Sequence, residues 1–364
     1  MSKFFGVFSA AVFLVFAGST AHVRADHRDS TLVVTMTNDP MANAIQVYDT
    51  GTHALIQTLS THGKGGVGGN ARGVRQYNGE LFAAVNNGSN SVAVFRRQNN
   101  RLKFEKLVTT TSAPVSIDFG NDHMYVAGAT TVDSFDMHGS RVGWLDGIAW
   151  LQLAGDGLPP SGSTAQIGVV NDRRLLVTLK ADPDPGTVDS IRLDDEGAVS
   201  GASPIAVSAP AGTLTPFGFS VYPDGTAVIT LAHSNHDGLF RNGAFATAIA
   251  SGQTAPCWMT RVGKYVFIVN TGARSISRVL GTGSNIFIDA VVAANVTAGG
   301  SPTDTDAADG YLAVIDHTSG PGANSHLSLF KYNRSGELSI SGNIVDLKAP
   351  SANGVAVMAP KQED

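Results

Sequence analysis

The chain has 364 residues, of which 41 are glycine and only 15% are charged. This composition suits many short strands joined by tight turns, and it argues against long solvated helices. The net charge of −5 is spread along the chain without a basic block. We therefore expect no nucleic-acid binding, which needs a positive surface.

The first 25 residues differ in composition from the rest of the chain. Lys3 provides a positive charge, residues 4–17 are mostly apolar, and small residues follow. This pattern predicts a secretory signal peptide with cleavage near Ala21 or Ala25. Because the apolar run is short for a bilayer, we expect an exported protein, secreted or periplasmic, without a membrane span.

A sequence unit recurs every 40 to 51 residues along the rest of the chain. Several copies begin at a proline, which suits the start of a strand because its missing N–H breaks no ladder bond there. A repeat of this length with four short strands is typical of a β-propeller blade. The copies begin at Ala71-Arg72-Gly73, Ala113-Pro114-Val115, Thr164-Ala165-Gln166, Thr215-Pro216-Phe217, Ala255-Pro256-Cys257, Ser301-Pro302-Thr303 and Ser351-Ala352-Asn353.

Apolar second strands follow these starts, and third strands with an alternating pattern come next. The second strands are predicted at Leu81–Val85, Met124–Ala127, Leu175–Leu179, Ala227–Leu231, Tyr265–Val269 and Tyr311–Ile315. Clear third strands are predicted at Ser91–Phe95, Val188–Ile191, Ser275–Val279 and Leu327–Phe330. Ser234–Gly243 lacks a clear third strand, so we expect an irregular blade there. The insertion His138–Leu158 is expected to form a hairpin or loop in which Trp144 and Trp150 are buried.

The two ends of the chain complement each other. The last copy has only Gly354–Met358 after its start, whereas Thr31–Met36, Ala44–Tyr48 and Leu55–Leu59 are three strands without a first strand. Sharing one blade between both ends would leave no open sheet edge. The sequence therefore predicts one all-β domain over residues 26–364, a seven-bladed β-propeller closed by a blade shared between the N- and C-termini.

Four stretches carry a resemblance to a known family: residues 81–95, 215–219, 252–258 and 265–272. The chain resembles the lactonase-type seven-bladed β-propellers, which include 6-phosphogluconolactonase and carboxy-muconate lactonising enzymes, and the related YVTN-repeat surface propellers. The resemblance implies a propeller fold and, for its enzymes, hydrolysis or formation of a lactone ring. Members often have a Glu-Lys pair after the second strand of one blade, where this chain has Leu179-Lys180.

In a propeller, the loops after the second strands and before the first strands meet at one mouth of the central channel, where a ligand site is expected. A metal-independent lactonase needs a general base and a cation that stabilises the oxyanion. We predict Lys180 as the cation and His233 as the base. The other candidate ligand-binding residues in these loops are Arg72, His236, Asp237, Arg274 and His317. The alternative is that these polar residues are only solvated loop side chains.

We predict no metal and no cofactor. His233-Ser234-Asn235-His236-Asp237 would need a third ligand from a neighbouring blade to bind a transition metal. Asp182-Pro183-Asp184 and Asp304–Asp309 offer oxygens for calcium but do not have EF-hand spacing. Gly63–Gly69 lacks the ending of a phosphate-binding loop, although its N–H groups beside Arg72 suit an anion. Cys257 is the only cysteine and excludes an intramolecular disulfide.

Two functional classes follow from these residues. The first is a non-catalytic propeller that holds a small acidic or lactone ligand, or a macromolecular partner, at the channel mouth. We expect a monomer. The second is a lactone hydrolase or muconate-type lactonising enzyme that acts on a small acidic metabolite. The missing carboxylate before Lys180 and the predicted export favour the first class.

Overall fold

The computed structural model describes residue 1 and residues 30–151, 162–181, 185–283, 285–296, 299–319, 322–344 and 346–361. The predicted signal peptide, apart from its first residue, and Asp182-Pro183-Asp184 lie outside these residues. In the part of the chain that is described, no helix is long and apolar enough to span a bilayer.

The described strands form seven antiparallel sheets of four strands each. From the channel outwards, blade one contains β28 (Asn353–Met358), β1 (Leu32–Met36), β2 (Ala44–Asp49) and β3 (Leu55–Ser60). Blade two contains β4 (Val74–Tyr77), β5 (Leu81–Asn86), β6 (Ser91–Gln98) and β7 (Arg101–Thr109). Blade three contains β8 (Pro114–Gly120), β9 (His123–Gly128), β10 (Thr131–His138) and β11 (Arg141–Trp150).

The remaining four blades repeat this order. Blade four contains β12 (Thr164–Asn171), β13 (Arg174–Leu179), β14 (Thr187–Arg192) and β15 (Ile205–Ser208). Blade five contains β16 (Pro216–Val221), β17 (Ala227–Leu231), β18 (His236–Arg241) and β19 (Ala244–Ala250). Blade six contains β20 (Pro256–Val262), β21 (Tyr265–Asn270), β22 (Ser275–Thr282) and β23 (Asn285–Asn295). Blade seven contains β24 (Ser301–Ala308), β25 (Tyr311–His317), β26 (Ser325–Tyr332) and β27 (Leu338–Ile344).

The predicted ring closure is confirmed. β28 from the C-terminal end pairs antiparallel with β1, with Leu32 opposite Met358, and completes blade one. The innermost strands β28, β4, β8, β12, β16, β20 and β24 contact one another in this order around the channel, and β24 contacts β28 again. Closure leaves only the outer strands of the blades as edges.

The core lies between neighbouring blades, and strand alternation explains it. In β21, Val266 and Ile268 pack with Leu239 of blade five, while Phe267 and Val269 pack with Leu312 and other residues of blade seven. A second strand is therefore buried on both faces and appears in the sequence as a continuous apolar run. Side-chain hydroxyls add links between blades: Thr178 donates to the Phe217 carbonyl oxygen at 2.6 Å and Thr230 to that of Cys257 at 2.8 Å.

Two expectations about individual segments were wrong. Blade five has a regular third strand, because β18 pairs with β17 on one side and β19 on the other. Asp237 and Gly238 interrupt the alternation of apolar residues that would have revealed this strand. The region after His138 does form a hairpin, in which the outer strand β11 pairs with β10, but Trp144 and Trp150 are 85% and 63% exposed rather than buried. Residues 152–158 of the predicted insertion lie outside the described residues. An outermost strand has no further blade behind it to cover large side chains.

Candidate functional site

A short segment, Gly69–Arg72, enters the central channel just before β4. The Ala71 N–H donates to the Ala165 carbonyl oxygen of blade four at 3.0 Å. Asn70 is fully buried: its amide donates to the Val115 carbonyl oxygen of blade three at 2.7 Å, and its backbone oxygen accepts from the Trp258 indole of blade six at 2.7 Å. We call Gly69–Arg72 the channel segment. It links blades three, four and six across the ring. We call the half of the channel towards the loops after the second strands the upper half, and the opposite half the lower half.

The side chain of Arg72 extends into the lower half, away from the loops that we expected it to join. Its Nη1 is 3.6 Å from Asp118 Oδ2, and its Nη2 is 3.5 Å from the Phe219 carbonyl oxygen. Asp118 and Phe219 lie in the middle of β8 and β16, so the guanidinium sits well below the upper rim. Burial, followed by repulsion from Arg75, lowers the pKa of Arg72 to about 10. Arg72 is thus a cation whose contacts with Asp118 and with the Phe219 carbonyl oxygen are both longer than an ordinary charge-assisted hydrogen bond.

A cavity of about 230 Å³ lies beside Arg72 in the lower half. We call it the lower cavity. Arg75, Asp118, Arg261 and Asp306 also line it, together with polar groups such as Ser220 and Thr260. These residues come from different inner strands, which the ring brings together although they are far apart in sequence. The result is a small polar chamber with three guanidinium groups in its wall.

The lining cations differ in how well they are paired. Arg75 Nε donates to Asp118 Oδ1 at 2.8 Å, and its Nη1 is 3.7 Å from Asp306 Oδ1. Arg261 donates to two backbone oxygens, those of Val221 and Gly263, at 2.8 and 2.6 Å. A guanidinium carries five N–H donors. Compared with Arg75 and Arg261, Arg72 therefore has donor capacity left for a ligand that accepts hydrogen bonds.

The carboxyl groups around the cavity differ in the direction of their pKa shifts. Although burial acts against ionisation, Arg75 and Arg72 lower the pKa of Asp118, which is therefore the anionic partner. Burial raises the pKa of Asp306, against the opposing effect of Arg75. Burial, together with the nearby Asp306, raises the pKa of Asp304 to about 7. Below this pH the chamber carries more positive than negative charge.

The predicted cation Lys180 lies on the upper side of the channel segment. It follows β13 directly, its Nζ donates to the Gly69 carbonyl oxygen, and it lies 5.8 Å from the centre of the Phe217 ring. Burial lowers the pKa of Lys180 to about 8, while Cys257 acts weakly in the other direction. Burial raises the pKa of the Cys257 thiol to about 11, so this cysteine is protonated at neutral pH. Lys180 is not among the residues that line the cavity beside Arg72.

His233 and His236 lie at the top of blade five. His233 belongs to a single 3-10 turn, Ala232–Ser234, and its Nδ1 is 3.0 Å from the Thr215 hydroxyl. The Nδ1 of His236 is 2.6 Å from the Ser234 carbonyl oxygen. Both imidazoles thus contact neighbouring loop atoms. Among the described residues, no group of three or more His, Cys, Asp or Glu side chains is arranged to hold a metal ion.

The other three candidates are dispersed. Asp237 is in β18 rather than in a turn, it is fully buried, and neither carboxyl oxygen has a hydrogen-bond partner. Arg274 is exposed at the end of the turn that precedes β22. His317 ends β25 in blade seven, where burial lowers its pKa and Asp316 opposes the shift. Asp237 has no exposed surface at the upper mouth, where the sequence placed it.

Sequence reasoning missed Arg75, Asp118, Arg261 and Asp306. All four lie within inner strands, where we did not look for ligand groups because the search was limited to loops. A signal was present, since charged residues inside otherwise apolar or small-residue strands are rarely buried without a partner. Their spacing along the chain gave no indication that they meet, because only ring closure brings them together.

Comparison with known proteins supports the fold. No protein-family model matches the sequence, and no curated protein matches it either. A candidate 6-phosphogluconolactonase from Bacteroides fragilis NCTC 9343 superposes with a TM-score of 0.63 at 12% identity, covering 91% of this chain and 99% of that chain. Its counterpart from Bacteroides uniformis ATCC 8492 gives a TM-score of 0.62 at 15% identity, covering 91% and 100%.

A second kind of neighbour has the same architecture. Virginiamycin B lyase from Staphylococcus aureus, in a structure with quinupristin, superposes with a TM-score of 0.54 at 14% identity, covering 79% of this chain and 92% of that chain. At these identities a match shows a shared fold. The class of protein is therefore a seven-bladed β-propeller of the architecture found in lactonase-like proteins, and the resemblance inferred from the sequence is confirmed at the level of the fold.

Proposed function

We propose that this protein binds a small organic anion in the lower cavity and does not transform it chemically. The observation that carries the proposal is the guanidinium of Arg72, which borders the cavity with contacts of 3.5 and 3.6 Å. A buried cation gains most from a partner that brings negative charge, because charge-assisted hydrogen bonds are stronger in a low-dielectric site. Carboxylates match the planar fork of arginine in geometry as well as in charge.

The size of the cavity limits the ligand. A volume of about 230 Å³ is smaller than the pockets that hold drug-sized molecules, which begin at about 300 Å³. A carboxylate with a few heavy atoms would fit, whereas a sugar phosphate would not fit entirely inside. The polar lining, which includes Ser220 and Thr260, suits a hydrophilic metabolite better than an aromatic one. We therefore favour a small mono- or dicarboxylate.

Arg72→Gln is expected to weaken binding of this anion by about 10- to 100-fold, since losing charge-assisted hydrogen bonds of this kind costs about 1.5–3 kcal/mol. Isothermal titration calorimetry with acetate, lactate, malonate and oxalate would measure the effect. Arg274→Gln is the matched control, because it removes an exposed arginine from the upper face. Equal affinities of wild type and Arg72→Gln, or no binding of any panel member to the wild type, would contradict the proposal.

Lactone hydrolysis at the upper side is the second candidate function. The observation that favours it is Lys180, whose pKa of about 8 allows a neutral amine at mildly alkaline pH to act as a general base. The similarity to candidate 6-phosphogluconolactonases and to a lyase makes this reading worth testing. This assignment differs from the roles predicted from the sequence: Lys180 is the base instead of the oxyanion cation, and His233 would contribute a second proton-transfer group or a hydrogen bond to the substrate.

If Lys180 is the base, the hydrolysis rate of simple γ-lactones should rise as the pH passes through about 8, because only the neutral amine accepts a proton. Lys180→Ala should then abolish turnover, and His233→Ala should reduce it, while both variants keep the wild-type melting temperature. A purified protein without turnover on a lactone panel at any pH would leave the binding function as the better account.

We also propose that the protein is exported and acts as a monomer. The composition of the first 25 residues supports export, and the closed ring supports a stable single chain. N-terminal sequencing of the protein recovered from the producing cell would test cleavage near Ala21 or Ala25. A macromolecular partner at the upper face remains part of the proposal, and a sequence that still begins at Met1 would refute export by this route.

A further inference from the structure

We propose that the lower cavity takes up its anion together with a proton, which is held by the carboxyl pair Asp304 and Asp306. This inference rests on the proposed anion-binding function. The two carboxyl groups lie two residues apart on β24, and both are buried beside the guanidinium groups of Arg72 and Arg75. An anion that binds there places a third negative charge next to them.

The contacts of Asp304 and Asp306 explain why one of these carboxyl groups can be protonated. Asp306 Oδ2 accepts the Val357 N–H of β28 at 2.9 Å, and Asp304 Oδ1 accepts the Thr305 N–H at 2.9 Å. A second backbone N–H interacts with each group, from Val355 for Asp304 and from Ala307 for Asp306, but these donors do not offset the effect of burial, and both pKa values stay raised. Arg75 is shared between Asp306 and Asp118, and it is closer to Asp118, at 2.8 Å against 3.7 Å. The pair is therefore short of positive partners.

The charged groups around Asp304 and Asp306 determine whether their pKa values are raised or lowered. The segment before β4 and β4 itself present Arg72 and Arg75, β8 presents Asp118, and β20 presents Arg261. From β28 the pair receives backbone amides, and on β25 the nearest titratable groups are Asp316 and His317, at the upper end of that strand. Burial raises the pKa of Asp304 to about 7, with Asp306 adding to the shift and Arg72 opposing it.

An anion bound at Arg72 would compete with the pair for the same cations, so it would favour the protonated carboxyl. By linkage, an anion that favours protonation must bind more weakly as the pH rises and the proton is lost. The wild-type affinity should thus be constant at low pH and fall by up to about tenfold per pH unit above about 7.

Titration calorimetry with oxalate from about pH 5.5 to about pH 8.5 tests the inference, because oxalate stays ionised over this range. Repeating the titration in two buffers of different ionisation enthalpy counts the protons taken up. Asp304→Asn, which is neutral at every pH, should bind with the low-pH affinity throughout and take up no proton. Asp172→Asn, at an exposed position on the lower face, is the matched control and should keep the wild-type profile.

The outcomes separate this inference from the function on which it rests. Oxalate binding that Arg72→Gln weakens, with a flat wild-type pH profile and no proton uptake, would overturn the coupling but leave the anion site intact. If the oxalate affinity still falls with rising pH in Asp304→Asn but no longer does so in Asp306→Asn, Asp306 is the group that takes up the proton. That result would support proton uptake by the pair. No oxalate binding to the wild type at any pH would overturn both proposals. Melting curves at each pH show whether a variant is folded.

Discussion

Replacing Asp237 by valine is expected to raise the free energy of unfolding by about 4 kcal/mol above pH 7 and by considerably less near pH 4. The reason is the burial of a carboxyl group whose two oxygens lack hydrogen-bond partners, which raises the pKa of Asp237 to about 7. Urea unfolding of the wild type and Asp237→Val at a series of pH values would measure the difference.

The direction of the pH effect follows from proton binding in the two states. Below about pH 4 the carboxyl group is protonated in both the folded and the unfolded chain, so it adds no pH dependence. Between about pH 4 and about pH 7 the unfolded chain has released the proton and the folded chain still holds it, so stability falls as the pH rises. Above about pH 7 the loss is complete. The pKa of Asp304 is also raised, but its contribution to the pH dependence is the same in wild type and variant and cancels in the difference.

We choose valine because the other six blades have aliphatic residues at the position equivalent to Asp237. At the third-strand position equivalent to Asp237 by strand pairing, the residues are Ile45, Val92, Val132, Val188, Ile276 and Leu327. Leu239, two residues further along β18, packs with Met259 and Val266 of blade six, so Asp237 faces the same interface. Asp237→Asn should also remove the pH dependence, without the packing gain of valine. A pH profile of Asp237→Asn parallel to that of the wild type would show that this carboxyl group does not titrate between the two states.

Asn70→Ala is expected to lower the free energy of unfolding by about 2–4 kcal/mol, because it removes the Asn70 partner of one buried and one partly buried group and opens a small void. The Asn70 amide donates to the Val115 carbonyl oxygen, and its Oδ1 accepts from the Asn353 amide at 3.1 Å. These bonds join blades three and one through the channel segment. Urea denaturation with an unchanged slope would measure the loss.

Asn87→Ala is the comparison for this prediction. Asn87 makes one similar bond between blades, from its amide to the Pro114 carbonyl oxygen at 3.0 Å, but it is only partly buried. We expect a loss of about 1 kcal/mol for this variant. If Asn70→Ala is no more destabilising than Asn87→Ala, the channel segment does not tie the ring together. A destabilised Asn70→Ala should also bind oxalate more weakly, because Arg72 follows two residues later.

The fold could be predicted well because its signals are local and repeated. Apolar runs such as Tyr265–Val269 recur at a regular distance, and the incomplete first and last units complement each other. Prediction failed where one residue changed the pattern. Asp237 interrupts β18 although the strand is held by both neighbours, and the exposed Trp144 looked like a core residue although it lies on an outermost strand.

The site could be predicted only in part. The sequence indicates that Arg72 is a cation near the channel, but no local pattern predicts that Gly69–Arg72 enters the channel. That insertion places Arg72 and Lys180 on different sides, a result of hydrogen bonds to Ala165 and Trp258 far along the chain. Asp118, Arg261 and Asp306 meet Arg72 only after all the blades have closed into a ring. Such long-range proximity leaves no trace in local spacing.

The channel segment has a consequence for how molecules reach the protein. With Asn70 and Ala71 bonded to blades three and four, a chain segment crosses the channel between its two mouths. A molecule that enters from one face meets Lys180, and one that enters from the other meets Arg72. We therefore expect that a large molecule covering the upper face would leave the lower cavity accessible from the opposite face.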